Sequence, residues 1–189
     1  MTDTFEVVFV CTGNRFRSPI AAATFEAVSA GVPVRVHSLG TLDLNAAPAL
    51  AEALRLCSSY GLDLSAHRSR CLDGVRLDGA DLIVGFEPKH VARAVVEADA
   101  RRERSFLLGE LVEGLEAVTI PDEPDPVSRA RFAVALVNER RQRGEAGEPP
   151  PPIADPYGGT QHDYEQAATR VHDLTGRVAT ALFGTAPGR

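Results

Sequence analysis

The sequence predicts an α/β fold: an open four-stranded parallel sheet with helices on both faces. Three observations carry that expectation. Short runs rich in valine, isoleucine, leucine and phenylalanine recur without polar alternation, as strands buried on both faces require. Segments of helical periodicity separate those runs, at the spacing of strand–helix–strand units. The 189 residues suit one domain with a core large enough to fold unaided.

Taken in order, "FEVVFV" (Phe5 to Val10) is the first buried strand. Pro19 fits the first turn of a helix, where its missing N–H is harmless, and "IAAATFEAVSAG" continues with good helix formers to a stop at Gly31. "VRVHSLG" reads as the second strand. "APALAEALRLCSSYG" reads as a helix with Leu50, Leu54 and Cys57 on one face and Gly61 as its stop. "ADLIVGF" is a third buried strand and "PKHVARAVVEADA" the helix after it. "RSFLLGEL" is a fourth strand running into a short helical turn. The stretch Pro121 to Pro152 breaks the rhythm. It opens "PDEPDPVSRARF", holds an arginine-rich helix candidate from Val127 to Arg143, and ends "GEAGEPPPP". From Gln161 a long amphipathic helix runs to Gly184. No repeat is visible, and no second segment is large enough to own a core.

Composition excludes several classes of function. With 44% hydrophobic and 24% charged residues the chain reads as globular and soluble. A net charge of -6 argues against nucleic-acid binding, because a surface that tracks phosphates is basic. No apolar run is long enough to span a bilayer, and "MTDTFE" has no basic, then apolar, secretory pattern. Cys11, Cys57 and Cys71 are too few and scattered for a disulfide framework, so a reducing cytoplasm is the expected setting. Lys89 is the sole lysine, and with so many alanines this suggests a GC-rich bacterial genome.

The informative stretch is "CTGNRFRS", directly after the first strand. In open parallel sheets ligands bind beyond the carboxyl ends of the strands. Gly13 permits unusual backbone angles and Asn14 tolerates a left-handed conformation, so this loop can turn successive N–H groups toward an anion at a helix N-terminus. The same environment favours a thiolate at Cys11. Arg17, six residues on, can fork two donors onto phosphate oxygens, and Ser18 can donate a hydrogen bond to the sulfur. The parts suit attack of a thiolate on phosphorus. A cysteine–arginine pair at this spacing arises easily by chance; Gly13, Asn14, Ser18, Pro19 and the position after the first buried strand make the pattern specific. The competing reading is an inert buried cysteine before an ordinary helix.

"VCTGNRFRSPIA" resembles the phosphate-binding loop of the low-molecular-weight protein tyrosine phosphatases, C-x-G-N-x-C-R-S-P. The resemblance extends through "HSLGT", "GLDLSAHRSR", "ADLIVGF" and "IADPYGG". It implies a single phosphatase-like domain over 1–189, with residues 121–152 as an insertion before the loop that carries the general acid. It implies Cys11 as nucleophile, Arg17 as phosphate ligand and Asp155 as general acid. Thr12, Gly13, Arg15, Phe16 and Tyr157 would border the substrate, while Asn14, Ser18, Ser38 and His67 would brace the loop. The substrate would be a phosphorylated protein or a small phosphomonoester, with phosphate or another oxyanion in the loop and no metal or other cofactor. Oligomeric state is left open.

Alternatives remain at several positions. Asp122 and Asp125 compete with Asp155, and Asp125 also precedes a proline at a distance from Cys11 that suits the family. His67 is a brace, a surface histidine or a base, and Arg68 and Arg70 are ordinary ion-pairing residues. The loop also departs from the family. Phe16 replaces its second cysteine, so no loop disulfide can protect Cys11 from over-oxidation. Arg15 adds positive charge, and "TLDLNAAP" lacks the aromatic residue that flanks a phenyl ring in many members. Thr12 and "DPYGG" also occur in the family's protein arginine phosphatase branch. Arsenate reduction would use the same loop but needs relay thiols, and "IVGFEPKHV" has none. A non-enzymatic anion-binding module is the remaining reading, with the arginine-rich insertion as a partner surface; in an enzyme the insertion is a lid contributing to substrate choice or a surface excursion of no catalytic consequence.

Overall fold

In the computed structural model, residues 3–147 and 150–184 are described. Four parallel strands, β1 (Phe5–Cys11), β2 (Val34–Gly40), β3 (Leu82–Gly85) and β4 (Ser105–Leu107), form one sheet in the order β2-β1-β3-β4. The helices are α1 (Arg17–Val28), α2 (Ala51–Ser59), α3 (Pro88–Glu97), α4 (Leu108–Ala117), α5 (Pro126–Gln142) and α6 (Gln161–Phe183). The expected fold class is the observed one.

β1 shows why its sequence carries no polar alternation. Phe5, Val7, Phe9 and Cys11 point into a core shared with α1, α4, α5 and α6, while Val8 and Val10 point into a second core with Ala94 of α3. Because strand order reverses between β1 and β3, the loops leaving those two strands diverge to opposite faces and leave a crevice at their carboxyl ends. The loop after Cys11 and the residues after Gly85 both open onto that crevice.

Several elements differ from expectation in their bounds. α2 begins at Ala51, because residues 47–50 are held in the loop: the Leu50 N–H donates to the Arg15 carbonyl at 2.9 Å. Its buried face is Ala53, Leu56 and Cys57, whereas Leu54 is exposed. β4 has only three residues, and the expected short turn after it is a helix of ten residues, α4.

The arginine-rich segment is a helix of seventeen residues, α5, capped by Asp125, whose carboxylate accepts the Ser128 N–H at 2.8 Å. Val127, Ala130, Ala133, Val134 and Val137 form a buried stripe that joins the core against α4 and α6. Gly114 on α4 allows the close approach: a Cβ there would stand 2.4 Å from Val137 Cγ1. Several of its arginines are spent on the body of the protein. Arg131 pairs with Asp3 and Asp81, and Arg141 with Glu110 and the Ser105 carbonyl. No α5 residue lines the cavity at Cys11.

Candidate active site

The loop from Thr12 to Phe16 turns sharply because Asn14 takes the left-handed conformation, φ 50°, which asparagine tolerates better than most residues. Gly13 does not use the backbone freedom expected of it. Its φ is not positive; a Cβ there would press to 3.2 Å from Leu44 Cδ1. Asn14 is wholly buried and holds the loop from three sides. Its amide donates to Ser18 Oγ at 2.9 Å, its oxygen accepts the Arg70 N–H at 2.8 Å, and its carbonyl meets His67 Nε2 at 2.7 Å. His67 thus contacts the loop backbone, and burial holds its pKa below the ordinary value.

Cys11 Sγ lies 3.2 Å from the Asn14 N–H donor and 3.0 Å from Ser18 Oγ. The Ser18 oxygen accepts from Asn14, and its one hydrogen can go to the sulfur at 3.0 Å or to the Leu39 carbonyl at 3.4 Å. The main-chain N–H groups of Gly13, Arg15, Phe16 and Arg17 have no hydrogen-bond partner among the described residues, and all four residues line the cavity that Cys11 enters. Such a set of free donors at the start of a helix can receive an anion.

Arg17 is 1% exposed, and both amino groups of its guanidinium have partners. One amino group donates to Glu87 Oε1 at 2.6 Å and to the Ile153 carbonyl at 2.9 Å. The other lies 2.6 Å from Asp155 Oδ2 and 3.3 Å from Thr12 Oγ1. Burial opposes ionisation of Glu87, but hydrogen bonds from Arg17 and Lys89 outweigh it and hold the carboxyl below its usual range. Ile153 fixes the path of the chain here, since its own N–H donates to the Phe86 carbonyl at 3.0 Å. After it, Asp155 accepts the Tyr157 N–H at 3.3 Å in an Asx turn, and Gly158 takes φ 80°. Asp125, by contrast, caps α5 away from this cavity.

The cavity, about 230 Å³, has Phe16, Leu42, Leu44, Leu50 and Tyr157 among its lining residues. Leu42 and Tyr157 are largely exposed rims, whereas Phe16 is buried, its ring edge-on to Tyr164 at 5.2 Å. Arg15 also lines the cavity, but its Nε is tied to the Pro48 carbonyl at 2.7 Å. Two expectations fail. Ser38 is half-buried on β2 and its side chain joins no hydrogen bond among the described residues, so it is not part of the bracing network. Arg68 and Arg70 form no ion pair among the described residues; Arg68 donates instead to the carbonyls of Ser65 and His67.

Glu87 and His90 escaped the sequence reading. His90 is fully buried against the loop, its Nε2 3.0 Å from Thr12 Oγ1, and burial together with the Arg17 charge pushes its pKa down to about 3. The signal was available: "FEPKH" directly follows the strand on the far side of the β1/β3 crevice.

A buried cysteine beside unpaired main-chain N–H groups, an arginine six residues later and a carboxylate facing that arginine suit a cysteine-dependent hydrolase on an open α/β sheet. The chain belongs to the low molecular weight phosphotyrosine protein phosphatase family, whose model matches residues 6–143. It is 32% identical over 127 residues to the low molecular weight protein-tyrosine-phosphatase Etp of Escherichia coli K12, covering 67% of this chain and 80% of that protein. It is 30% identical to a protein-arginine-phosphatase of Bacillus subtilis, over 94% of this chain and 96% of that one. Among solved structures it is similar to the YwlE arginine phosphatase from Geobacillus stearothermophilus, at 25% identity and a TM-score of 0.67, covering 93% and 90% of the two chains. Asp155 lies beyond the residues matched by the family model, so its place at the site rests on geometry.

Proposed function

We propose that the protein hydrolyses a protein phosphomonoester through a phosphocysteine intermediate, with phosphotyrosine as the substrate class. The observation that carries this reading is the convergence of Cys11, Arg17 and Asp155 on one cavity lined by residues with unpaired N–H groups. The phosphoryl group enters against those N–H groups and takes the Arg17 edge now held by Asp155. Cys11 attacks phosphorus, and Ser18 donates to the sulfur, which makes it a better leaving group in the second step. Asp155, released from Arg17 and carrying a proton taken up from solvent, gives that proton to the departing oxygen; the carboxylate left behind then takes a proton from the water that cleaves the phosphocysteine. Asn14 and His67 hold the loop in its working shape.

The apolar lining, with Leu42, Leu44 and Tyr157, favours a flat aryl leaving group. A phosphoarginine substrate is the second reading, favoured by Thr12 in the cavity and by the length over which the Bacillus subtilis relative matches. An anion-binding module has no use for a nucleophile and an acid on one cavity. Arsenate reduction has no relay, since Cys57 and Cys71 do not line it. We read residues 121–152 as an insertion in a single domain, with α5 a supporting strut rather than a lid. Among the described residues no helix is long and apolar enough to cross a membrane, and with three free cysteines we place the work in the cytoplasm of a bacterium.

Paired peptides carrying phosphotyrosine or phosphoarginine, assayed for phosphate release by wild type and Cys11→Ser, test this reading. Faster release from phosphotyrosine, abolished in Cys11→Ser, supports it; preference for phosphoarginine moves the assignment to the second reading. Release that survives Cys11→Ser contradicts both.

A further inference from the structure

His90 is a buried titratable side chain that the mechanism above does not use. Its Nδ1 faces two main-chain donors, the Glu87 N–H at 3.1 Å and the Phe86 N–H at 3.4 Å. A nitrogen that receives two N–H groups carries no hydrogen of its own, so the neutral ring bears its proton on Nε2. That proton points at Thr12 Oγ1, 3.0 Å away. The same oxygen accepts from Arg17 Nη2 at 3.3 Å. A hydroxyl oxygen has two lone pairs and one hydrogen. Both lone pairs of Thr12 are engaged, and its hydrogen has no acceptor among the described residues. Thr12 lines the cavity at Cys11.

We propose that His90 is a positioning residue, which fixes the Thr12 hydroxyl as a hydrogen-bond donor to a phosphoryl oxygen bound over Cys11. Had Nδ1 carried the proton, the Thr12 hydroxyl would donate back to the ring and offer the substrate nothing. The inference rests on the reading of this cavity as a phosphomonoester site. It assigns a polar function to a contact that would otherwise be only a cap on the start of α3.

Two substitutions separate the roles. In His90→Asn the amide oxygen can take the place of Nδ1 and keep the Phe86 and Glu87 bonds, but the side chain is too short to reach Thr12. In His90→Gln the amide nitrogen can take the place of Nε2 and donate to Thr12, while the two main-chain groups lose their acceptor. Measured with p-nitrophenyl phosphate, His90→Asn is expected to lower kcat/KM about tenfold with a melting temperature near wild type. His90→Gln is expected to melt lower yet retain at least about a third of kcat/KM. Thr12→Val should match His90→Asn, and the double variant Thr12→Val/His90→Asn should lose no more than about a further twofold, since the two changes remove one interaction.

Affinity for inorganic phosphate, followed by phosphorus NMR, should fall in the same order and needs no turnover. A wild type that binds phosphate but hydrolyses nothing defeats the phosphatase reading while leaving this inference to the phosphate titration. His90→Asn with wild-type kinetics and phosphate affinity overturns the inference. So does a further tenfold loss when His90→Asn is added to Thr12→Val.

Discussion

Two Asp-Pro pairs compete for the general-acid role, and replacing each aspartate separates them. Asp155 Oδ2 is 2.6 Å from Arg17 at the cavity. Asp125 caps α5, and its electrostatic neighbours are Asp3 and Arg131, beside the start of β1. Cys11 ends that strand of seven residues, so at about 3.3 Å per residue Asp125 stands roughly 20 Å from the sulfur. A proton donor must come within about 3 Å of the leaving atom. Asp155→Ala is therefore expected to lower kcat by a factor on the order of 100 to 1,000, with KM within a few-fold. The loss should be larger for phenyl phosphate than for p-nitrophenyl phosphate, because the poorer leaving group depends more on protonation. Asp125→Ala removes a helix cap and is expected to cost about 1 kcal/mol in urea unfolding, with kcat unchanged within about twofold. Steady-state hydrolysis of both aryl phosphates, with urea melts of each variant, makes the comparison. A large kcat loss in Asp125→Ala with Asp155→Ala near wild type would refute the assignment.

Stability should fall on the acid side of neutrality through His90. The unfolded chain protonates that ring near pH 6.5, while the folded protein resists until about pH 3. The stabilisation is complete above pH 6.5 and is lost as pH drops toward 3, at about 1.4 kcal/mol per unit. Urea melts at pH 7 and 4.5 should show this slope, and His90→Asn should flatten it; an equal slope in both would discount the buried ring. Gly114→Ala drives a methyl against Val137 and is expected to destabilise by about 1–3 kcal/mol with little change in kcat. Removing residues 122–149 should lower thermal stability, and selective loss of activity on protein substrates with unchanged stability would instead indicate a lid.

The sheet was legible because β1 and β3 are buried on both faces and leave no polar alternation to confuse them with helices. The loop was legible because Cys11, Asn14, Arg17 and Ser18 act within eight consecutive residues. What lay beyond reach depended on contacts between distant segments. Leu54 faces outward because α2 turns Ala53, Leu56 and Cys57 to the core, a choice of face set by packing against distant segments. The spacing of Asp125 from Cys11 matches the family, yet α5 occupies the intervening chain and Ile153, clamped between Phe86 and Arg17, delivers Asp155 instead. For His90 the sequence offered only its place after β3; its contact with Thr12 forms because β1 and β3 lie side by side.

The most direct test of the phosphocysteine account is acid quench of the protein during turnover of p-nitrophenyl phosphate, followed by mass analysis of its peptides. The account predicts a phosphoryl adduct on Cys11 in the wild type, absent in Cys11→Ser, which does not turn over. Sustained hydrolysis by Cys11→Ser, or an adduct on any other residue, would contradict it.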